Sequence, residues 1–206
     1  MKRSKTKKII NVKLVSGGID SYILSQEVEG INLFVDFGQK YASEELNALK
    51  KLGVDFEVVT LPPIPPTDDI FIPSRNLMLA TIAVIYYNAD NVFLACLKDG
   101  DPTMLDSKKE GFEEMSRILS NFSNREIKVS SPYIDLTKVE LVGKFGKKEK
   151  LKDTFSCFFP VDGKPCGDCK GCLIRNIALE KNGVKSNVKL SERMTKEFNE
   201  KIDNYK

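Results

Sequence analysis

The residues with the clearest capacity for chemistry form one short segment, 16–21, with the sequence Ser-Gly-Gly-Ile-Asp-Ser. Its two glycines permit positive φ angles and a close approach of the backbone to a ligand, so that successive N–H groups can face one anion. A helix that begins here would add the positive end of its dipole, and the two serines would add hydroxyl donors. Asp20 could cap that helix or bind Mg²⁺. The segment predicts a phosphate-binding loop, although the same turn also joins strands to helices without a ligand.

Four of the five cysteines form a second candidate site within sixteen positions: Cys157, Cys166, Cys169 and Cys172. Four thiolates suit a tetrahedral structural zinc ion. Because the chain has no histidine, a site with four side-chain ligands must be all-cysteine. An iron–sulfur cluster is the alternative, but the ferredoxin pattern requires a further cysteine shortly after this run, and residues 173–176 hold none. The spacing therefore favours zinc.

The absence of histidine also limits the catalytic chemistry. It excludes a Ser-His-Asp triad, a histidine general base and any histidine metal ligand. Proton transfers must use carboxylates, lysine, tyrosine, cysteine or atoms of the substrate. Cys96 lies in an apolar segment, and we expect it to be a packing residue rather than a nucleophile.

The chain has 206 residues, of which 41% are hydrophobic and 30% charged, as expected for one soluble domain of ordinary size. It contains no run of 18 apolar residues and no secretory signal, so we expect a cytoplasmic protein that does not enter a membrane. The net charge of +3 is too small to indicate direct nucleic-acid binding. The basic residues of segment 1–8 are expected to form a solvated arm or, alternatively, to touch phosphate.

The hydrophobic pattern alternates strands with helices. The predicted strands cover residues 9–15, 31–35, 56–60, 91–96 and 127–129. The predicted helices cover residues 20–28, 43–52, 75–87, 108–119, 137–152 and 172–181. Ser43 and Ser74 are the expected N-caps of the second and third helices, and the proline-rich segment 61–73 is expected to be a functional loop. This order is typical of an α/β fold with a parallel five-stranded sheet flanked by helices.

We divide the chain into four parts on this pattern. A basic tail, 1–8, precedes an α/β domain, 9–152, that carries the phosphate loop. A four-cysteine zinc element, 153–182, follows. The polar segment 183–206 is expected to be a loosely packed tail.

The hexapeptide is similar to the SGGxDS signature of the ATP pyrophosphatase (PP-loop) superfamily, which has an adenine nucleotide alpha hydrolase-like fold. That resemblance implies cleavage of ATP between the α- and β-phosphates. The oxygen of a second substrate would be adenylated, and pyrophosphate would leave from the loop. Preorganised N–H donors would stabilise the charge that develops on the leaving group.

Four further segments resemble one branch of that superfamily, the 7-cyano-7-deazaguanine synthase family. Segment 35–41, VDFGQKY, resembles the family's D-Y-G-Q-R-H, and segment 72–76, IPSRN, resembles its V-P-G-R-N. Asp106 resembles the aspartate of its Y-P-D-C-R. The cysteine segment 156–175 resembles its C-terminal zinc element and is the most specific of the four. The order and approximate spacing hold from residue 10 to about residue 180.

Six positions depart from the family pattern. Tyr41 stands where the family has histidine, and Lys40 where it has arginine. Ser74 replaces a glycine, residues 104–105 replace Tyr-Pro, and Lys108 replaces an arginine. These positions lie near the expected substrate site, so they bear on which substrate the enzyme takes and which product it releases.

The resemblance implies that 7-carboxy-7-deazaguanine and free ammonia are converted to 7-cyano-7-deazaguanine, with Mg²⁺-bound ATP adenylating first the carboxylate and then the amide. It assigns ATP binding to Ser16, Gly17, Gly18, Ile19, Asp20, Ser21, Val35, Asp36, Phe37, Gly38 and Gln39. It assigns catalytic roles to Ser16, Asp20, Ser21 and Arg75. It assigns substrate binding to Arg75, Asn76, Lys98 and Asp106. The zinc site, at Cys157, Cys166, Cys169 and Cys172, would be structural.

Simpler roles are open for three of these side chains. Arg75 could form a surface salt bridge, Lys98 could be a solvated loop residue, and Asp106 could cap the helix that begins near residue 108. The function also has alternatives. The enzyme could stop at the amide, or it could be another PP-loop adenylating ligase or a tRNA thiolase. A zinc-ribbon module that binds RNA or protein is the alternative of a different class. The family's habit suggests a homodimer.

Overall fold

A computed structural model of the protein describes residues 8–66, 71–145 and 148–203. Most of the basic tail, part of the proline-rich segment and the last three residues lie outside this range. The described residues form five strands, β1 to β5: Asn11–Leu14, Ile31–Asp36, Glu57–Thr60, Asn91–Phe93 and Lys128–Ser130. They also form eight α-helices, α1 to α8: Ile19–Glu27, Ala42–Leu52, Arg75–Tyr87, Lys109–Ser123, Lys138–Phe145, Lys148–Leu151, Lys170–Lys181 and Glu192–Ile202.

The strands form one parallel sheet in the order β3-β2-β1-β4-β5. The central strand β1 pairs with β2 on one side and β4 on the other, with Val12 opposite both Ile31 and Val92. The prediction of a five-stranded parallel sheet flanked by helices is confirmed. The strand order reverses at β1, so a crevice for ligands is expected at the carboxyl ends of β1 and its neighbours.

Helices cover both faces of the sheet, because both faces of its strands are apolar. Leu33 and Val35 of β2 pack in a cluster with Ala80 of α3 and Met115 of α4. Phe34, between them, points to the opposite face and packs in a second cluster that draws on α1, α2, α5 and α7. The period of two along the strand thus divides the core into two layers.

Lys13 is the exception in β1, because it is a charged residue that is only 3% exposed. Its Nζ donates to the carbonyl oxygens of Ser25, at 3.2 Å, and Val28, at 2.7 Å. These carbonyls end helix α1 and have no partner within the helix. Desolvation lowers the pKa of Lys13. The contact ties the end of α1 back to β1 and so fixes the loop between them.

Two predicted helix caps are wrong in their chemistry. Helix α2 begins at Ala42 after Tyr41, and the Ser43 hydroxyl donates to the Glu44 carboxylate instead of accepting from the backbone. Ser74 does precede α3, but its φ of 57° is left-handed and its side chain accepts no capping bond. A carboxylate from a distant loop accepts from this helix end instead, as described below.

Several predicted bounds differ from the structure. Strand β4 ends at Phe93 rather than at residue 96, and helix α4 continues to Ser123 rather than ending at residue 119. The helix predicted for 137–152 is observed as α5 and α6, and its residues 146–147 lie outside the described range. The proposed division of the chain into four parts remains a prediction.

The C-terminal segment is packed, so the expectation of a loose tail is wrong for its described part. Helix α8 begins after Ser191, whose side chain accepts from the N–H of Met194. Met194 is 5% exposed and packs against Leu173 and Ile177 of α7. The hydrophobic contact explains the order of a segment whose composition is polar.

The buried guanidinium of Arg175 holds this segment against the rest of the fold. Arg175 is 1% exposed. It donates to the carbonyl oxygens of Leu151 and Lys152 at 3.2 and 3.0 Å, and to Ser186 Oγ at 2.9 Å. Because desolvation of the buried guanidinium outweighs the attraction of Asp153, the pKa of Arg175 falls to about 10.

We expect Arg175→Ala to lower the free energy of unfolding by roughly 3 kcal/mol, because it leaves buried acceptors unpaired and opens a cavity. Urea denaturation followed by circular dichroism measures this change. Arg117→Ala is the control, since Arg117 is 62% exposed and forms only a surface pair with Glu114. Equal stability of the two variants would contradict a structural role for Arg175.

Candidate active site

A cavity of about 340 Å³ opens at the carboxyl ends of β1, β2 and β4. It lies at the reversal of strand order, where open α/β sheets bind ligands. Nine of the residues predicted to bind ATP or substrate line it: Ser16, Gly18, Asp20, Ser21, Val35, Phe37, Gln39, Arg75 and Asn76. Gly17, Ile19, Asp36 and Gly38 belong to the same two segments but do not line it. Lys98 and Asp106 also lie outside the lining.

The phosphate loop joins β1 to α1 in a conformation that requires glycine at one position. Gly17 has a φ of 73°, and a Cβ there would lie 2.7 Å from the Glu45 carbonyl oxygen. Ser21 Oγ accepts from the Ser16 N–H at 3.0 Å and donates to the Gly18 carbonyl oxygen at 3.2 Å. The start of α1 lies at the cavity wall, which Gly18, Asp20 and Ser21 line, and the N–H groups of its first turn have no partner within the helix.

A lysine that the sequence did not single out pairs with the loop. Lys138 Nζ lies 2.9 Å from Asp20 Oδ2, and both side chains line the cavity. The other carboxylate oxygen of Asp20, Oδ1, is buried and has no hydrogen-bond partner among the described residues. A free, inward carboxylate oxygen of this kind fits a Mg²⁺ ion or an ordered water.

Arg75 and Asn76 begin helix α3 at the opposite side of the cavity. Among the described residues, no partner accepts a hydrogen bond from the Arg75 guanidinium and no carboxylate forms an ion pair with it. Asn76 is 5% exposed, and its Nδ2 donates to Ser107 Oγ at 3.0 Å. The fork of Arg75 is thus available to a carboxylate or a phosphate.

Asp106 accepts from the backbone N–H of Asn76 at 3.1 Å through Oδ2. It therefore stabilises the first turn of α3 and not the following helix α4, whose N-terminal residue is preceded by Lys108. Lys98 is exposed, and its backbone N–H donates to Leu136. Both residues lie near the site, but neither side chain faces the cavity.

The wall of the cavity also holds acidic and aromatic residues that the sequence did not indicate. Gln39 Nε2 donates to Glu45 Oε2 at 3.3 Å, and burial raises the pKa of Glu45 to about 8. The rings of Tyr41 and Phe158 lie 6.2 Å apart at an angle of 59°. Burial also raises the pKa of Cys96, which lines the cavity, to about 11. A neutral thiol at this site agrees with a packing role.

The four cysteines converge on one point. Their Sγ atoms all lie within 4.8 Å of one another, as a tetrahedral zinc site requires. Cys169 caps helix α7 by accepting from the Cys172 N–H, and a hydrogen bond from the Cys172 thiol lowers the pKa of Cys169. The donor set, four thiols with no histidine or carboxylate, fits structural zinc.

The cysteine element adjoins the phosphate loop directly. The Phe155 N–H donates to the Gly17 carbonyl oxygen at 2.9 Å. Cys157, two residues further on, lines the cavity together with Ser156. The metal site and the predicted ATP site therefore share one short segment of chain.

The family model described as Queuosine biosynthesis protein QueC matches residues 63–183, which is more than half of the chain. The protein belongs to this family. Curated relatives named 7-cyano-7-deazaguanine synthase include one from Methanobrevibacter smithii, which is 30% identical over 87% of this chain and 96% of its own. The relative from Methanocaldococcus jannaschii is 26% identical, over 88% and 99%, and that from Prochlorococcus marinus is 29% identical, over 85% and 96%.

The match of this QueC-family chain extends over nearly the whole length of these relatives, so the resemblance is not confined to one motif. The family-model match, over residues 63–183, spans α3, the cavity segments after β4, and the cysteine element. None of the described helices is long and apolar enough to cross a membrane.

We expect Cys169→Ser to abolish stoichiometric zinc binding, because a closed thiolate site needs all of its ligands. Metal analysis of the purified protein should give about one zinc per wild-type chain and far less for the variant. The thermal midpoint should fall as well, since the element packs in the core. Cys96→Ser is the matched control and should keep its zinc; full zinc occupancy in Cys169→Ser would exclude this ligand.

Proposed function

We propose that the protein converts 7-carboxy-7-deazaguanine and ammonia to 7-cyano-7-deazaguanine, with one ATP consumed to activate the carboxylate and another to activate the amide. The observation that carries the proposal is the convergence, in a chain of the QueC family, of a phosphate loop and an unpaired arginine on one cavity. Relatives along the full chain bear the name of this synthase. We also propose that the enzyme acts in the cytoplasm.

The phosphate loop would bind the β- and γ-phosphates of ATP and stabilise pyrophosphate as it leaves. The N-terminus of α1 and the hydroxyls of Ser16 and Ser21 face that position. Asp20 Oδ1 would hold Mg²⁺, which supplies positive charge to the phosphates when bound. Lys138, held by Asp20, would add a second cation.

The deazapurine would lie between the sheet edge and α3. Arg75 would bind its carboxylate and then the α-phosphate of the adenylate, since one guanidinium fork suits either group. Asn76 is occupied in holding the Asp106 loop and would position Arg75. We propose that Tyr41 and Phe158 supply flat apolar surface for a heterocycle.

Zinc would hold the cysteine element in place and would take no part in the chemistry. A closed site with four thiolates leaves no position for substrate. Its contribution would pass through the Phe155 hydrogen bond to Gly17, which fixes one side of the phosphate loop.

We further propose a homodimer. Helix α3 is apolar on most of its surface and leaves Ile85 and Tyr86 more than half exposed. Phe122, at the end of the neighbouring helix α4, is 85% exposed. A helix that is apolar all round is usually buried, so a second copy is the occupant that we propose for this surface.

An enzyme that stops at the amide is the second candidate. Lys40 and Tyr41 differ from the family pattern and lie at the cavity or beside it. A changed wall could release the amide before its oxygen is adenylated.

Incubation with 7-carboxy-7-deazaguanine, ammonium, Mg²⁺ and ATP, followed by mass spectrometry, tests the proposal. We expect the nitrile and about two AMP for each molecule formed, because each activation transfers one adenylate. The amide with a single AMP would establish the second candidate. Absence of both products, with ATP still bound, would refute both functions.

We expect Lys138→Ala to reduce kcat/KM for ATP by about 10²-fold or more, because it removes a partly buried cation from the phosphates. Steady-state release of pyrophosphate measures the effect. Lys138→Arg should recover part of the activity, since it keeps the charge. Lys109→Ala, an exposed substitution on α4, is the control; an equal rate for Lys138→Ala and this control would remove Lys138 from the site.

A further inference from the structure

Glu45 is a carboxyl group in the cavity wall with no role in the functions considered so far. It lies in the first turns of α2, and its main-chain carbonyl packs against Gly17 of the phosphate loop. The side chain is partly accessible, and the residue lines the cavity together with Arg75 and Asp20. The carboxyl therefore shares one cavity with the predicted phosphate loop and with Arg75.

One hydrogen bond fixes this carboxyl group. Gln39 Nε2 donates to its Oε2 at 3.3 Å. The Oε1 of Gln39 in turn accepts from the N–H of Phe37 at 3.0 Å, so the amide is itself held by the end of β2. Glu45 consequently has a defined orientation and keeps one carboxylate oxygen for another partner.

The charged groups around Glu45 come from three elements. Asp36, at the end of β2, and Glu44, on α2 itself, disfavour its ionised form, whereas Arg75 of α3 favours it. Tyr41, at the start of α2, also faces this cluster. Desolvation outweighs the attraction of Arg75, and the pKa of Glu45 rises to about 8.

The proposed reaction needs a proton acceptor near this point. When ammonia attacks the acyl adenylate, a C–N bond forms, the C–O bond to AMP breaks, and the nitrogen must lose a proton. Conversion of the amide to the nitrile, after its oxygen is adenylated, breaks the second C–O bond and removes the two remaining protons from the same nitrogen. The chain has no histidine to accept any of these protons.

The other candidates in the cavity are poorly suited to this task. Asp20 is paired with Lys138 at 2.9 Å, so one of its carboxylate oxygens is already occupied. Burial holds Cys96 as a neutral thiol, with a pKa of about 11. A general base works best with a pKa near the operating pH, and Glu45 meets that condition.

We propose that Glu45 is the proton acceptor of the ammonia-consuming and nitrile-forming steps, an inference that rests on the proposed function. The carboxylate takes the proton from the attacking nitrogen as AMP leaves, and passes it to water through the mouth of the cavity. Gln39 orients the carboxylate while it does so. Arg75 stabilises the charged form in each cycle.

The test compares Glu45→Gln with the wild type and with Glu113→Gln, an exposed control on α4 that does not line the cavity. The rate of amide and nitrile formation is measured from pH 6 to 9.5 with the concentration of free NH₃ held constant at each pH, a span that brackets the pKa of about 8. We expect the wild-type rate to rise up to that pKa. Glu45→Gln should be slower by roughly 10²- to 10³-fold and flat with pH.

Adenylation without ammonia separates catalysis from folding and binding. Exchange of labelled pyrophosphate into ATP, with 7-carboxy-7-deazaguanine present, should be unchanged within about threefold in Glu45→Gln, since no proton leaves nitrogen in that step. Loss of exchange and amide formation to the same extent would mean that Glu45 is structural, and would overturn the proposal. A pH profile of Glu45→Gln that matches that of the wild type would also overturn the proposal.

A second measurement, the pH dependence of stability, detects the titration of Glu45 without turnover. A raised pKa in the folded state stabilises the protein at low pH, and this stabilisation is lost as pH rises from 4.5 toward about 8. The stability of Glu45→Gln relative to the wild type should therefore increase across that interval. A constant difference would contradict the titration. If the wild type forms no product, the proposed function fails together with the inference; if it does and Glu45→Gln matches it, only the inference fails.

Discussion

The hydrogen bond from the Phe155 N–H to the Gly17 carbonyl oxygen joins the two parts of the molecule on which the proposed activity depends. Gly17 has a left-handed φ and packs tightly against the backbone of α2. Its carbonyl oxygen therefore cannot turn toward a different donor unless the loop moves. The cysteine element supplies the donor. A metal that holds this element therefore also holds the geometry of the anion-binding turn, although it lies outside the chemistry.

The sheet and its helices could be predicted from the sequence because strand and helix periods are local properties. Residues 31–35 and 75–87, for example, are apolar runs whose length and neighbours decide between strand and helix. Helix α8 is not predicted because its composition is polar and its packing depends on a small cluster in which Met194 and Phe198 contact α7. The group that caps α3 cannot be predicted for a similar reason, because Asp106 accepts from Asn76, which lies thirty residues earlier in the chain.

The residues of the candidate site also fall into those that the sequence can predict and those that it cannot. The phosphate loop, Arg75 and the cysteines could be predicted, since each is defined by residue types at short spacing. Lys138 and Glu45 could not, because their importance comes from tertiary neighbours: Asp20 for the lysine, and Gln39 with Arg75 for the glutamate. The resemblance predicts that Lys98, a loop cation after β4, binds substrate. In the structure its side chain is exposed and does not line the cavity, whereas Lys138 does.

Two helix starts line the cavity, those of α1 and α3, and each places the positive end of a helix dipole beside it. Each start is held by a group from later in the chain: Phe155 binds the turn before α1, and Asp106 binds the first turn of α3. The tether at α1 is one backbone hydrogen bond, whereas the Asp106 loop is also held by Asn76 Nδ2, which donates to the Asp106 carbonyl oxygen and to Ser107 Oγ. Since the cavity lies between these two helix starts, the charged side chains that a ligand would meet there are few: Asp20, Glu45, Arg75 and Lys138.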